Sequence, residues 1–176
     1  MNIDAFCKEG SDTTVKMLVE DIRRIVETEA PVSLDIVAKR LCDACGIEKV
    51  TSRVSTRIDY LVRYGKFCCQ ASDAGKRFIY RSSSDIGLVN DSYRTGGDRD
   101  ITDVPPEELA ACAIAVTSVQ YGMPEENLAK EVASAFGVKR CAVTSAAYKT
   151  AAEGVKFALD NRYLTVDSNG RVILVP

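Results

Sequence analysis

The chain has no histidine and no tryptophan, and almost no surplus of either charge: 176 residues carry 23 Lys and Arg against 25 Asp and Glu. Without histidine, no Ser-His or Cys-His nucleophile, no HExxH helix and no His-based metal site can be built within it. A formal net charge of −2 supplies no global attraction to nucleic acid or to an acidic membrane. No apolar run is long enough to cross a bilayer, and Met1 to Gly10, with Asp4, Lys8 and Glu9, lacks the features of a targeting segment. These absences predict a cytoplasmic protein with no membrane partner. Its seven cysteines, an odd number, are then expected as reduced thiols and not as a disulfide framework. Phosphate-cradling glycine motifs and carboxylate pairs in a catalytic context are also missing, so neither a catalytic residue nor a cofactor is expected.

What is present is an ordinary globular composition, 46% apolar and 27% charged, long enough for one large or two small domains. Val15, Leu18, Ile22, Ile25 and Val26 recur at steps of three and four, predicting a helix that starts at Asp12 or Thr13 and ends near Glu29, because Pro31 disfavours helical geometry at Ala30. Ser33 reads as the N-cap of a second helix with Val37, Leu41, Ala44 and Cys45 inward and Gly46 as its left-handed C-cap. A third helix is expected from about Lys49 to Tyr64, with Val50, Val54, Ile58 and Leu61 inward. Two β-prone runs, Phe67 to Gln70 and Arg77 to Arg81, flank the turn Ser72-Asp73-Ala74-Gly75 and predict a hairpin.

The same order recurs in the second half. Pro106 and Pro124 each open a helix with two glutamates in the first turn, an alanine-rich helix follows from about Cys141 to Asp160, and Asp167-Ser168-Asn169-Gly170 joins two further β-prone runs. Residues 32–46 align without a gap on residues 123–137 at an offset of 91, while Gly75 and Gly170 align at 95; the four extra residues are expected as one more turn of the third helix. The fold class is therefore expected to be mainly α with small β-hairpins (α+β), arranged as a tandem winged helix of two helix-helix-helix-hairpin repeats. Residues 1–12 are expected as a flexible tail, 13–81 as the first winged-helix domain, 82–105 as a polar linker and 106–176 as the second domain.

Several segments, namely Ile25 to Ser33, Ala38 to Leu41, Gly46-Ile47, the Arg53 to Arg57 helix, Val104 to Ala110 and Phe136 to Arg140, together resemble domain of unknown function 3320. The resemblance runs from about residue 13 to 175 and rests on turn residues and helix patterns. It implies a neighbourhood: that domain occurs near the C-terminus of large bacterial and archaeal proteins that also carry a superfamily-1 helicase-like ATPase and a restriction-endonuclease-like module. The chain would then be one region of such a protein or a stand-alone relative, with helicase-like or nuclease domains as partners. The motifs of those two modules are absent here, and the resemblance supplies no catalytic residues.

Charge is distributed unevenly. From Glu48 to Arg81 there are eight cations and three acids, a local excess of +5, whereas residues 82–176 carry nine cations and thirteen acids, a net of −4. In a winged helix the third helix enters the major groove and the hairpin touches the phosphate backbone. Lys49, Arg53 and Arg57 form a stripe at steps of four, Ser52, Thr56 and Arg63 lie beside or beyond it, and Lys76 and Arg77 follow the hairpin turn. These eight residues are the expected contacts to double-stranded DNA. A solvated, merely solubilising helix face is the competing explanation. The alternative function is a protein-protein interaction or dimerisation module without nucleic-acid binding, including a homodimer, suggested by the small apolar residues of the second alanine-rich helix. Cys42 and Cys45 with Cys68 and Cys69 superficially suggest zinc, but neighbouring cysteines on a strand point to opposite faces and Cys45 falls on an apolar helix stripe, so no metal is expected.

Overall fold

A computed structural model describes residues 3–7, 12–95 and 99–175. Residues 1, 2 and 8–11 of the expected tail, and Gly96, Gly97 and Asp98 of the expected linker, lie outside the described residues. The chain is mainly helical with small antiparallel hairpins. It divides into two compact units, residues 1–71 with 77–86 and residues 72–76 with 87–176.

The first unit contains α1 (Ile3–Cys7), α2 (Asp12–Glu29), β1 (Val32–Ser33), α3 (Leu34–Cys45), α4 (Ser52–Tyr64), β2 (Cys68–Ala71) and β3 (Arg77–Tyr80). The caps explain the boundaries. The Ser33 hydroxyl accepts the Ile36 amide at 3.2 Å, and Gly46, at φ 71°, closes α3 in the left-handed region. Leu18, Ile22, Val37, Leu41, Val54, Ile58, Leu61 and Ile79 converge in one core with Val26. Phe6 joins them fully buried, so part of the segment expected as a tail folds as α1 and contributes to the core.

The sheet has the order β1-β3-β2, all antiparallel, with Val32 opposite Ile79 and Cys69 opposite the same residue from the other side. Strand β1 is an addition to the expected three helices and hairpin. Two residues are too few to show the alternation that marks a strand, and Ser33 serves both as its last residue and as the cap of α3.

The second unit contains α5 (Pro106–Gln120), α6 (Glu125–Ala135), α7 (Ala146–Asp160), β4 (Leu164–Val166) and β5 (Val172–Leu174). Met123, which the sequence aligns with Val32, makes a single bridge to Val172 in place of a third strand. Its neighbours prevent more: Pro124 has no amide to donate, and Gly122, at φ 92°, is so close to Ile173 and the Val172 carbonyl that a Cβ would sit 2.6 and 2.9 Å from them. Helix α7 starts at Ala146, where the Ser145 hydroxyl accepts the Tyr148 amide, and not at Cys141. Most of the extra length of the second repeat therefore sits in the loop before α7 and not in another helical turn.

The small residues of α7 are used inside the unit. Ala151, Gly154, Val155 and Ala158 are buried, and a Cβ on Gly154 would fall on Leu109 of α5, so the two backbones approach as closely as they do only because that position has no side chain. The region expected as a linker is tied to α5 as well. Glu108, 8% exposed, accepts the Arg94 backbone amide at 2.8 Å and receives both the Arg94 and Arg99 guanidiniums, Arg99 in a two-pronged arrangement at 3.1 and 3.0 Å. Ile101 and Val104 bury themselves in the same core. Glutamates 107 and 108 thus sit in the first turn of α5 as expected, but buried, not solvated.

Two outcomes follow. Gly154→Ala overpacks the α5–α7 contact and should cost about 1–3 kcal/mol, read as a lower calorimetric midpoint. Burial alone would raise the Glu108 pKa, but hydrogen bonds from Arg94 and Arg99 outweigh it and hold the carboxyl below the ordinary glutamate value. The stabilisation is therefore complete above the pKa of a free glutamate and is lost as pH falls through the lower folded value. Calorimetry from about pH 7 to about pH 3 should show a falling midpoint, and Glu108→Gln should lower the neutral midpoint while flattening that dependence.

Candidate nucleic-acid interface

The site is organised by α4. Its first helical residue is Ser52, because the Thr51 hydroxyl accepts the Val54 amide and ends the preceding coil. Lys49 and Val50 consequently precede the helix, and Val50, expected inward, is 45% exposed. Counting 100° per residue from Ser52, the buried residues Val54, Arg57, Ile58, Leu61 and Val62 occupy one arc, and Ser52, Thr56, Asp59 and Arg63 lie opposite. The expected stripe of Lys49, Arg53 and Arg57 does not exist: its first member is off the helix and its last faces inward.

Arg57 is 6% exposed, its guanidinium carbon lies 5.0 Å from the centre of the Tyr60 ring, and its Nε and Nη2 have no hydrogen-bond partner. Arg53, one turn earlier, is exposed but pairs with Asp4 of α1 at 2.7 Å. At the other end of the same flank the Tyr64 hydroxyl donates to Asp12 at 3.0 Å. Residues at the start of the unit thus occupy that flank. Ser52 and Thr56 are exposed on the outward arc, where the Thr56 hydroxyl spends its proton on the Ser52 carbonyl at 3.0 Å.

On the opposite flank the residues converge. Arg77, at the start of β3, reaches back to Asp59 of α4 at 2.5 Å. With Arg63, Lys66 and Cys69 these two residues border a cavity of about 330 Å³ whose apolar wall is Val62 and Phe67. Lys66 follows the helix with φ 53°, the left-handed position normally given to glycine. The glycine stands one residue earlier because a Cβ at Gly65 would meet the Phe67 ring at 2.5 Å and Val19 at 2.9 Å. Lys76 is directed elsewhere: it belongs to the second unit and pairs with Asp103 at 2.9 Å.

Of the eight expected contacts, then, the structure brings together Arg63 and Arg77, and leaves Ser52 and Thr56 outward beside Arg63. Lys66, Asp59 and Cys69 are additional. Asp59 and Arg63 share the outward arc of α4, and Lys66 joins them from beyond its C-terminal end. Among the cysteines, Cys42 and Cys45 lie in the core, where burial pushes both thiols up, and burial in the second unit pushes Cys112 up to about 11, so all three are held protonated near neutrality.

Because two buried guanidinium nitrogens of Arg57, Nε and Nη2, have no acceptor, Arg57→Met should leave the thermal midpoint unchanged or raise it, each unsatisfied group costing about 1–3 kcal/mol. Arg57→Glu buries an unpaired anion in the same place and should lower the midpoint by several degrees. A fall of comparable size in Arg57→Met would contradict this account of the side chain.

Residues 4–56 match the family described as Protein of unknown function (DUF3320), a stretch that covers α1 to the first turn of α4 and stops before Arg57, Arg63 and the hairpin. The similarity is thus narrower than the resemblance drawn across residues 13–175. No curated protein and no solved structure matches the chain.

Proposed function

We propose that the first unit is a winged-helix module that binds double-stranded DNA without enzymatic activity, as the accessory region of a helicase- or nuclease-type system. The observation that carries the reading is the convergence of Arg63, Lys66 and Arg77 where α4 meets the β2–β3 hairpin, the two elements that face DNA in a winged helix. The order helix-strand-helix-helix-strand-strand and the sheet order β1-β3-β2 support it, being the order that fold requires. The second unit, with ten cations against thirteen acids, repeats much of that order and takes no part in the contact. The association with helicase-like or nuclease domains is carried by the family similarity alone.

The second reading, a protein-interaction module, is favoured by one observation. Tyr163, Val166, Leu174 and Val175 of the β4–β5 hairpin region are exposed. The alanine-rich helix no longer supports it, since its small residues are consumed against α5. Light scattering on the chain distinguishes the two: a monomer that binds DNA excludes obligatory self-association.

Fluorescence anisotropy with a labelled duplex at about 50 mM salt tests the first reading. Arg63→Glu/Arg77→Glu should weaken binding at least about tenfold, and Arg63→Ala should reduce the slope of log affinity against log salt by about one. Absence of binding by the unaltered chain, or equal binding by the double variant, would reject this surface.

A further inference from the structure

The cavity between α4 and the hairpin has more structure than a phosphodiester contact needs. Arg63 comes from the last turn of α4, Lys66 from the second residue beyond its end and Arg77 from the first residue of β3, so three cations arrive from three directions. Asp59 is the one acid among the lining residues, and it already occupies one arm of Arg77. The rim therefore carries a net charge of +2. Neither Arg63 nor Lys66 has an ion-pair partner among the described residues. The cavity, about 330 Å³, is far larger than a phosphate and falls at the lower end of the range for small-molecule sites, with Val62 and Phe67 as an apolar wall.

We propose that this cavity is a seat for a phosphomonoester of nucleoside size, its phosphate held by Arg63, Lys66 and Arg77 and its organic part lying along Val62 and Phe67. The charge match selects the ligand class. A phosphomonoester carries about −1.5 to −2 at neutral pH and three terminal oxygens, one for each cation, whereas a carboxylate or a phosphodiester carries −1 and two such oxygens. The backbone adds a second observation. A lysine in the left-handed region gives up local stability that glycine would keep, and here the strained residue is one of the three cations. Two sources share this chemistry, a free nucleoside monophosphate and the phosphorylated end of a DNA strand.

The inference shares its cations with the DNA reading, and its test separates the two. Cys69 lines the cavity and is the one exposed cysteine among the described residues, so its alkylation rate, resolved by mass spectrometry on the full chain, reports occupancy. Thymidine 5′-monophosphate should slow that reaction, while thymidine at the same concentration should not. In Lys66→Gly, which removes the cation but suits the left-handed backbone, the midpoint should hold or rise and the concentration of thymidine 5′-monophosphate needed for protection should increase about tenfold. No protection by thymidine 5′-monophosphate, equal protection by thymidine, or undiminished protection in Lys66→Gly would overturn the proposal. Duplexes with 5′-phosphate or 5′-hydroxyl ends complete the experiment. Stronger protection by the phosphorylated duplex assigns the seat to strand ends; protection by the mononucleotide with no binding of either duplex keeps the seat and rejects the DNA reading. Duplex binding with no mononucleotide protection does the reverse.

Discussion

Burial of Val54, Ile58 and Leu61 in the core of the first unit fixes the rotation of α4, and the cap at Thr51 fixes its start. Together they decide which of the nine polar side chains on this helix reach solvent and in what company. In the sequence Lys49, Arg53 and Arg57 read as one stripe, but the apolar residues set the buried arc wherever the helix starts. With the observed phase, Arg57 turns inward onto Tyr60, Arg53 meets Asp4 and Arg63 looks toward Arg77. The hairpin then needs only to place β3 beside the end of α4, which Ile79 does from the centre of the three-stranded sheet. A few apolar contacts thus set the chemistry of a surface they never touch.

Much of this architecture was legible in the sequence because it is locally determined. Ser33 and Gly46 bound α3, Pro106 opens α5, and the glycine turns at 75 and 170 close both hairpins, each through interactions within a few residues. What was not legible depends on partners far along the chain. Phe6 is an unremarkable apolar residue in a polar stretch until α1 packs against α4 and the core of the first unit takes it in. Arg94 and Arg99 read as linker charges until Glu108 gathers them, and Arg57 reads as one more surface cation because periodicity alone assigns charge to solvent. The start of α4 failed for a subtler reason: Lys49 and Val50 fit the helical pattern, and only the competing hydroxyl of Thr51 moves the boundary. Of the site itself, Arg63 and Arg77 were foreseeable; the involvement of Lys66, Asp59 and Cys69 required the helix end and the hairpin to be seen side by side.

The two units solve the same topological problem with different materials. The first fills its core with large branched side chains and completes a three-stranded sheet. The second brings α5 and α7 together through alanine and glycine, replaces the extra strand by the Met123 bridge and anchors its entering segment through a buried carboxylate between two guanidiniums. The second unit keeps exposed cations, among them Lys139, Arg140, Lys149 and Arg162, but its acids outnumber them.

Arg57 has one further consequence. A guanidinium enclosed by protein is poorly screened by mobile ions, so its positive potential extends outward through the low-dielectric shell around it. It lends field to the neighbouring surface without offering a hydrogen bond there. Were a polyanion bound on that face as proposed, such a charge would hasten encounter and leave the lifetime of the complex to Arg63, Lys66 and Arg77: a division between the speed of arrival and the grip that follows.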